Sequence, residues 1–358
     1  MAATIKLTAI RTQAGWDGMT GPQQAPYEGR HYDSLSAWEL TIPDNLVFAN
    51  EQWVAHCYDD WPTGLVDTVN ITSRTVDETR NIVVTTPDDR PAPPTVPPTG
   101  FLIVSNDENG DTIYIGCENT VIKNISVEQS PNGSNSTAIG TGAIDITISH
   151  CTLYSTVDVG NLILRYVASA GSLIINNFLY GSNRGLNTTA PMSIYNNTFS
   201  GQNGNGFYGG SVSSAYVLRN NTFYNIGTAC INNRNTSSDM DYNATSDDSA
   251  TGPNSIINIT DIEFVNAAGN DFHLAETSQL RGAGQNLIET GALLTPQYDI
   301  DYDQWPDAGP WDMGFDYYTS GEPPVSGGIK LGAINIGSVR VGVNAVDKVM
   351  SGLNQVLP

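Results

Sequence analysis

Five pieces of this chain lie in register, and that repeat limits the folds open to it. They are Ile122-Lys123-Asn124-Ile125-Ser126-Val127, Ile148-Ser149-His150-Cys151-Thr152-Leu153, Ile174-Ile175-Asn176-Asn177-Phe178-Leu179, Ile194-Tyr195-Asn196-Asn197-Thr198-Phe199 and Leu218-Arg219-Asn220-Asn221-Thr222-Phe223. The third position holds Asn124, His150, Asn176, Asn196 and Asn220, at spacings of 26, 26, 20 and 24 residues. The first and sixth positions are always apolar. Each run is short, alternating, and followed by a Gly/Asn/Ser stretch, which forbids the continuous 3.6-residue pattern of a helix. A period of 20–26 residues with short strands and polar corners predicts a parallel β-helix, one coil per repeat. Successive coils stack about 4.8 Å apart, so equivalent side chains form ladders.

That stacking accounts for the uneven charge. The 358 residues carry a formal charge of −22. Residues 1–120 hold 17 acids and 6 bases, 121–235 hold 3 and 5, 236–324 hold 16 and 1, and 325–358 hold 1 and 3. The neutral stretch contains 18 of the 34 Asn. Like charges stacked at ladder spacing repel, whereas Asn tolerates the turn geometry and hydrogen-bonds along a stack. Asn-x-Ser at Asn124 could be read as glycosylation; ladder asparagine is the reading favoured here. A pI near 4.2 argues against nucleic acid as the main partner. No run reaches the roughly 18 apolar residues of a spanning helix, so no membrane insertion is expected. The opening MAATIKLTAIRT lacks a secretory apolar region, so Cys57, Cys117, Cys151 and Cys230 are expected reduced and mostly buried.

These residues resemble the right-handed parallel β-helix superfamily (pectate-lyase-like) over roughly 31–290. The family implies an all-β, right-handed solenoid and leaves function open, since the architecture carries lyases, hydrolases, tailspikes and inert scaffolds. Residues 1–30 are expected to be an N-terminal arm. Within 31–61, Asp33 or Ser34 is a plausible N-cap, with Leu35, Trp38 and Leu40 as a short apolar face covering the first coil. This opening resembles the start of many phage-encoded β-helix proteins. Six prolines between 87 and 98 exclude regular pairing there and predict a surface loop. Asn270–Leu274, Asp299–Pro306 and Asp312–Gly314 resemble the closing segment of bacterial and phage β-helices, which implies a cap over residues 291–320. Tyr302 and Trp305 depart from that pattern.

Asp299, Asp301 and Asp303 alternate, and hard oxygen ligands at this spacing could hold a structural Ca²⁺. As an EF-hand loop the run fails, because its sixth and twelfth positions are Gln304 and Pro310. The alternative is a solvated acidic turn. A glycosidase needs two carboxylates about 5–10 Å apart. The central coils offer only Glu128, Asp145 and Asp158, with Asp145 expected to face outward from a strand. Lyases of this fold need an acid cluster beside a base; Arg165, Arg184 and Arg219 lack one in the sequence. No catalytic residues and no cofactor other than that Ca²⁺ are therefore assigned, and His150 reads as a ladder residue. Gly204-Asn205-Gly206 reads as a coil corner, not a nucleotide loop. Trp305, Trp311, Trp53 and Trp61 are candidates for glycan binding, with capping aromatics as the favoured alternative.

After a linker at 321–328, residues 329–358 hold three decapeptides. Gly332, Gly342 and Gly352 are in register, as are Ile329, Val339 and Val349; Lys330 and Arg340 share a position, and Leu331 and Val341 precede the glycine. Thirty residues cannot bury a core alone, so this β module should dock on another chain or on copies of itself. It resembles the lysine-x-leucine-glycine decapeptides at the ends of phage virion proteins. The expected function is thus a non-enzymatic structural or adhesive protein of a tailed-phage virion: capsid decoration protein, tail fibre or spike. Its expected partners are other virion proteins, further copies of itself (a trimer, by analogy with phage β-helices) and a host surface glycan. The expected location is the particle surface, after synthesis in the host cytoplasm. The competing readings are a tailspike hydrolase or lyase and a glycan-binding module.

Overall fold

The computed structural model describes residues 2–88, 100–105, 110–129, 136–157, 160–163, 171–210, 215–232, 238–293, 297–301 and 303–318. Their fold is the parallel β-helix that the repeat predicts. Three sheets form its walls: sheet I with ten strands, sheet II with nine and sheet III with seven. One coil runs from Val121–Lys123 in sheet I through Ser126–Glu128 in sheet II to Thr137–Thr141 in sheet III. The next begins in register at Thr147–Ser149. Among the described residues the paired strands run parallel except the last two, Phe264–Asn266 and Asp271–Leu274, which meet antiparallel.

The first and sixth repeat positions point inward. Ile122, Ile148, Ile174, Ile194 and Leu218 form one fully buried column, and Val127, Leu153, Leu179, Phe199 and Phe223 a second. Sheet III contributes a third, from Ile113 and Ile139 to Phe207 and Ile231. Each such side chain gains about 1.5–3 kcal/mol on burial. Phe199 stacks on Phe223 with centroids 4.5 Å apart. A Cβ on Gly206 would stand 2.4 Å from the Phe223 ring and 2.9 Å from the Cys230 carbonyl. Gly206 therefore lies inside strand Asn205–Gly209, not at a corner, because the aromatic column needs that space. All four cysteines are free and buried.

Two differences appear at the N-terminal end. Thr4–Ile10, expected in an arm, pairs with Glu51–Cys57 along its whole length and extends sheet I. Ser34 is the N-cap of helix Leu35–Glu39, accepting the Ala37 N–H at 3.2 Å. Leu35 and Trp38 are fully buried and join the interior column with Ile42 and Leu46, as a plug over the first coil. Leu40 is 82% exposed and no part of that face, because the helix has ended at Glu39. Among the described residues, no helix is long and apolar enough to cross a membrane.

Candidate functional site

The corner between sheets I and II carries the asparagines, and two positions divide the labour. At the third position, Asn124, His150, Asn176, Asn196 and Asn220 all take φ between 51° and 62°. This is the left-handed region, where Asn is tolerated better than most residues. The amide ladder runs one residue later. Asn177 Nδ2 donates to Asn197 Oδ1 at 2.9 Å, Asn197 to Asn221 at 3.0 Å, and Asn221 to Asn243 at 3.0 Å. Each ladder oxygen also accepts a backbone N–H from the preceding coil, beginning with Cys151 N–H on Asn177. Asn243 is a rung missing from the repeat as read, because Tyr242 and Thr245 replace the usual Asn and apolar residue around it. Asn124 is buried, which leaves no room for a glycan. Asp145 sits at a left-handed bend just before its strand, exposed, rather than within the strand.

The acidic closing segment lies along this corner. The Tyr298 carbonyl accepts from His150 Nε2 and from Asn176 Nδ2, both at 2.8 Å. Phe315 N–H donates to Thr198 Oγ1. Asn220 accepts from Gln285 N–H and donates to the Gln285 carbonyl, each at 2.8 Å. Four successive coils are thus strapped from the side, which corrects the expected cap. The reason lies in two outward repeat positions. Ile175 and Tyr195 point away from the interior of sheet I, and Leu287, Leu293, Trp305 and Trp311 cover them. Phe178 points out of sheet II, under Phe272 and Phe315.

Trp305 and Trp311 are fully buried and stacked at 5.0 Å, so they present no face to a sugar. Trp53 faces the interior, with Nε1 donating to Glu51 Oε2. Trp61 is half-buried, edge-on to Phe101. The glycan reading of Trp305, Trp311 and Trp53 is corrected by this burial.

Nor is the closing segment a solvated acidic turn. Asp299 is fully buried; its Oδ1 accepts the Asp301 and Asp303 N–H groups and its Oδ2 that of Tyr317. Asp312 accepts from Gly282 and Tyr318, and Asp316 from Leu274. These acids staple turns together. Burial, then the fields of Asp316, Asp301 and Asp303, push the Asp299 carboxyl up. Burial pushes Asp316 up to about 7 against the pull of His273. The grouping that does form among the described residues joins Asp301 not to Asp299 and Asp303 but to His273 and Asp316. One ligand atom from each lies within 4.8 Å of the others. Burial would lower the His273 imidazole, but Asp271 at 2.6 Å and Asp301 at 3.1 Å, with Asp316 nearby, push it up to about 11.

Open surfaces among the described residues include one face of sheet III and one of sheet I. On sheet III, Tyr114 is exposed, the Arg184 guanidinium lies 4.2 Å from the Tyr208 ring centre, and Asn187 donates to Asn161. On the outer side of sheet I, a groove of about 400 Å³ is floored by Val54, Val83 and Val121 and rimmed by Gln52, His56 and Lys123. Glu128 accepts from Tyr154 Oη, and Arg219 pairs with Asp239. Asp158, Arg165, Tyr302 and the whole attachment set from Ile329 to Gly352 lie outside the described residues.

No family model matches the chain, and no curated protein matches it. Among solved structures, the chain is similar to the pectin methylesterase from Aspergillus niger, at 11% identity and TM-score 0.39, over 63% of this chain and 80% of that one. It is also similar to pectate lyase Pel9A, at 13% identity and TM-score 0.36, over 89% of this chain and 98% of that one. Both neighbours are parallel β-helix proteins.

Proposed function

We propose that this chain is a non-enzymatic structural or adhesive protein of a tailed-phage virion, anchored through its C-terminal decapeptides. The observation that supports this most is the strap. The closing segment folds along four coils and uses its buried acids to hold backbone N–H groups. External bracing of this kind suits a rigid spacer that bears load. The anchor is residues 329–358, whose Gly332, Gly342 and Gly352 register calls for a docking partner. That module is net basic while the body is acidic, so it suits an acidic capsid or tail surface. Removing 325–358 is expected to abolish incorporation into particles while leaving a soluble, folded β-helix. Unchanged incorporation would overturn the anchoring role, and loss of folding would overturn the modular division.

A second reading is glycan binding on sheet III. The observation favouring it is the stacked Arg184–Tyr208 pair and the Asn161–Asn187 amides, on the same sheet as exposed Tyr114. Flat aromatic faces beside amides suit sugar rings. Saturable glycan binding by the truncated helix, lost on Tyr208→Ala, would favour this face.

A further inference from the structure

We infer that His273, Asp301 and Asp316 form a binding site for one divalent transition-metal ion of the zinc class, which fastens the strap. Three segments of the strap converge there: strand Asp271–Leu274, the turn carrying Asp301, and the stretch after Gly314.

The first support is the way the imidazole is held. Asp271 Oδ1 lies 2.6 Å from Nδ1, fixing the ring and its tautomer. Metal-ligating histidines are oriented in this way, by a carboxylate on the nitrogen away from the ion. The second is the other nitrogen. Nε2 is fully buried and makes no aligned hydrogen bond, yet it stands 3.1 Å from Asp301 Oδ2. Zinc holds imidazole nitrogen and carboxylate oxygen at about 2.0–2.2 Å, so two neighbouring ligands on one ion stand about 3.0–3.4 Å apart as their angle opens from a right angle to tetrahedral. The observed separation therefore suits two ligands of a shared ion. The third is charge. Asp271 stands 2.6 Å from one nitrogen of the imidazole and Asp301 3.1 Å from the other, with the buried Asp316 within 4.8 Å, so three carboxylates surround one imidazole. A doubly charged ion offsets that excess.

The ligand set also selects the metal. One nitrogen and two oxygens suit zinc, cobalt or manganese; calcium prefers six to eight oxygens. This differs from the calcium expected from alternating aspartates, because Asp299 is turned onto backbone N–H groups. The ion takes the place of the Nε2 proton, which is released on uptake.

The test uses the full chain without an affinity tag, stripped with a chelator and titrated with Zn²⁺ by calorimetry and with Co²⁺ by visible absorption. One equivalent of each should bind, with the melting temperature rising by several degrees. His273→Gln should abolish stoichiometric uptake and Asp303→Asn should retain it. No saturable uptake by the wild type, saturation by Ca²⁺ alone, or undiminished uptake by His273→Gln would overturn the site. Should His273→Gln fail to fold, zinc-edge X-ray absorption on the wild type decides. A shell with one imidazole and carboxylate oxygens supports the site, and a shell without imidazole overturns it.

Discussion

The N-terminal coils and the strapped coils solve the same problem in opposite ways. A β-helix needs its coils held in register and its ends and sides protected. At the start, the position after the corner is Ile125 and then Cys151, both buried in the apolar core. An apolar plug of Leu35, Trp38, Ile42 and Leu46 closes that end. Arg74 and Glu39 form a buried ion pair beside it at 2.5 Å, and Thr72 also donates to Glu39. From Asn177 onward, the same position is a chain of buried amides, and the outer faces bear a strap rich in Trp and Phe. The difference teaches that one repeat can be held from inside by shape or from outside by a second layer. The polar ladder accompanies the second solution.

The largest expected effect tests the external layer. Trp305→Ala empties a fully buried site between Trp311 and Tyr317. It should cost about 4 kcal/mol. Limited proteolysis should then cut first within 280–318 while the N-terminal coils stay protected. Simultaneous loss of both regions would show that the two are one cooperative unit.

A smaller effect separates the two corner chemistries. Asn197→Ala takes their Asn197 partner from the Asn177 backbone N–H and the Ile174 carbonyl, and one of two partners from Asn177 Nδ2 and the Tyr195 carbonyl. Each buried group left unsatisfied costs about 1–3 kcal/mol, so a total of about 3 kcal/mol is expected. Cys151→Ala, at the equivalent position one coil before the ladder begins, should cost about 1 kcal/mol. Urea denaturation of the two variants gives the comparison directly, and equal costs would remove the distinction.

The smallest effect concerns the plug. Burial would raise the Glu39 carboxyl, but hydrogen bonds from Arg74 and Thr72 outweigh it and hold it below the usual range. A depressed carboxyl contributes stability above its unfolded value, near 4.3, and loses it as pH falls through the folded value. Glu39→Gln should therefore cost about 2 kcal/mol at pH 7. The gap from wild type should close as pH drops below about 4. A gap independent of pH, measured by denaturant titration at pH 7 and pH 3, would place the contribution in shape rather than charge.

Much of the fold was legible because a solenoid writes its period into its sequence. Five registered runs were enough for the coil, its corner and its inward columns. The sixth run escaped, because Tyr242 takes the left-handed corner that Asn usually occupies. The strap escaped for a different reason. Its acids and tryptophans look the same in sequence whether they cap an end or line a side. A signal was present nonetheless. The second repeat position reads Lys123, Ser149, Ile175, Tyr195, Arg219, and the fifth reads Ser126, Thr152, Phe178, Thr198, Thr222. Apolar residues at outward positions on both sides of one corner, Ile175 and Phe178, require a cover.

The candidate site divides in the same way. Alternation at Asp299, Asp301 and Asp303 is a local pattern, and it suggested oxygen ligands gathered on one turn. Backbone N–H groups in that turn captured Asp299 first, since a buried donor without a partner costs more than an unfilled carboxylate position. His273 and Asp316 lie far from Asp301 in sequence and meet it only because the strap doubles back. The sequence by itself determined the coil, the amide ladder and the burial of the core, because stacking repeats one local environment many times. Only the tertiary structure decided where the unrepeated acidic segment lies and which of its groups face each other. No periodicity links those residues; long-range packing on Ile175, Tyr195 and Phe178 does.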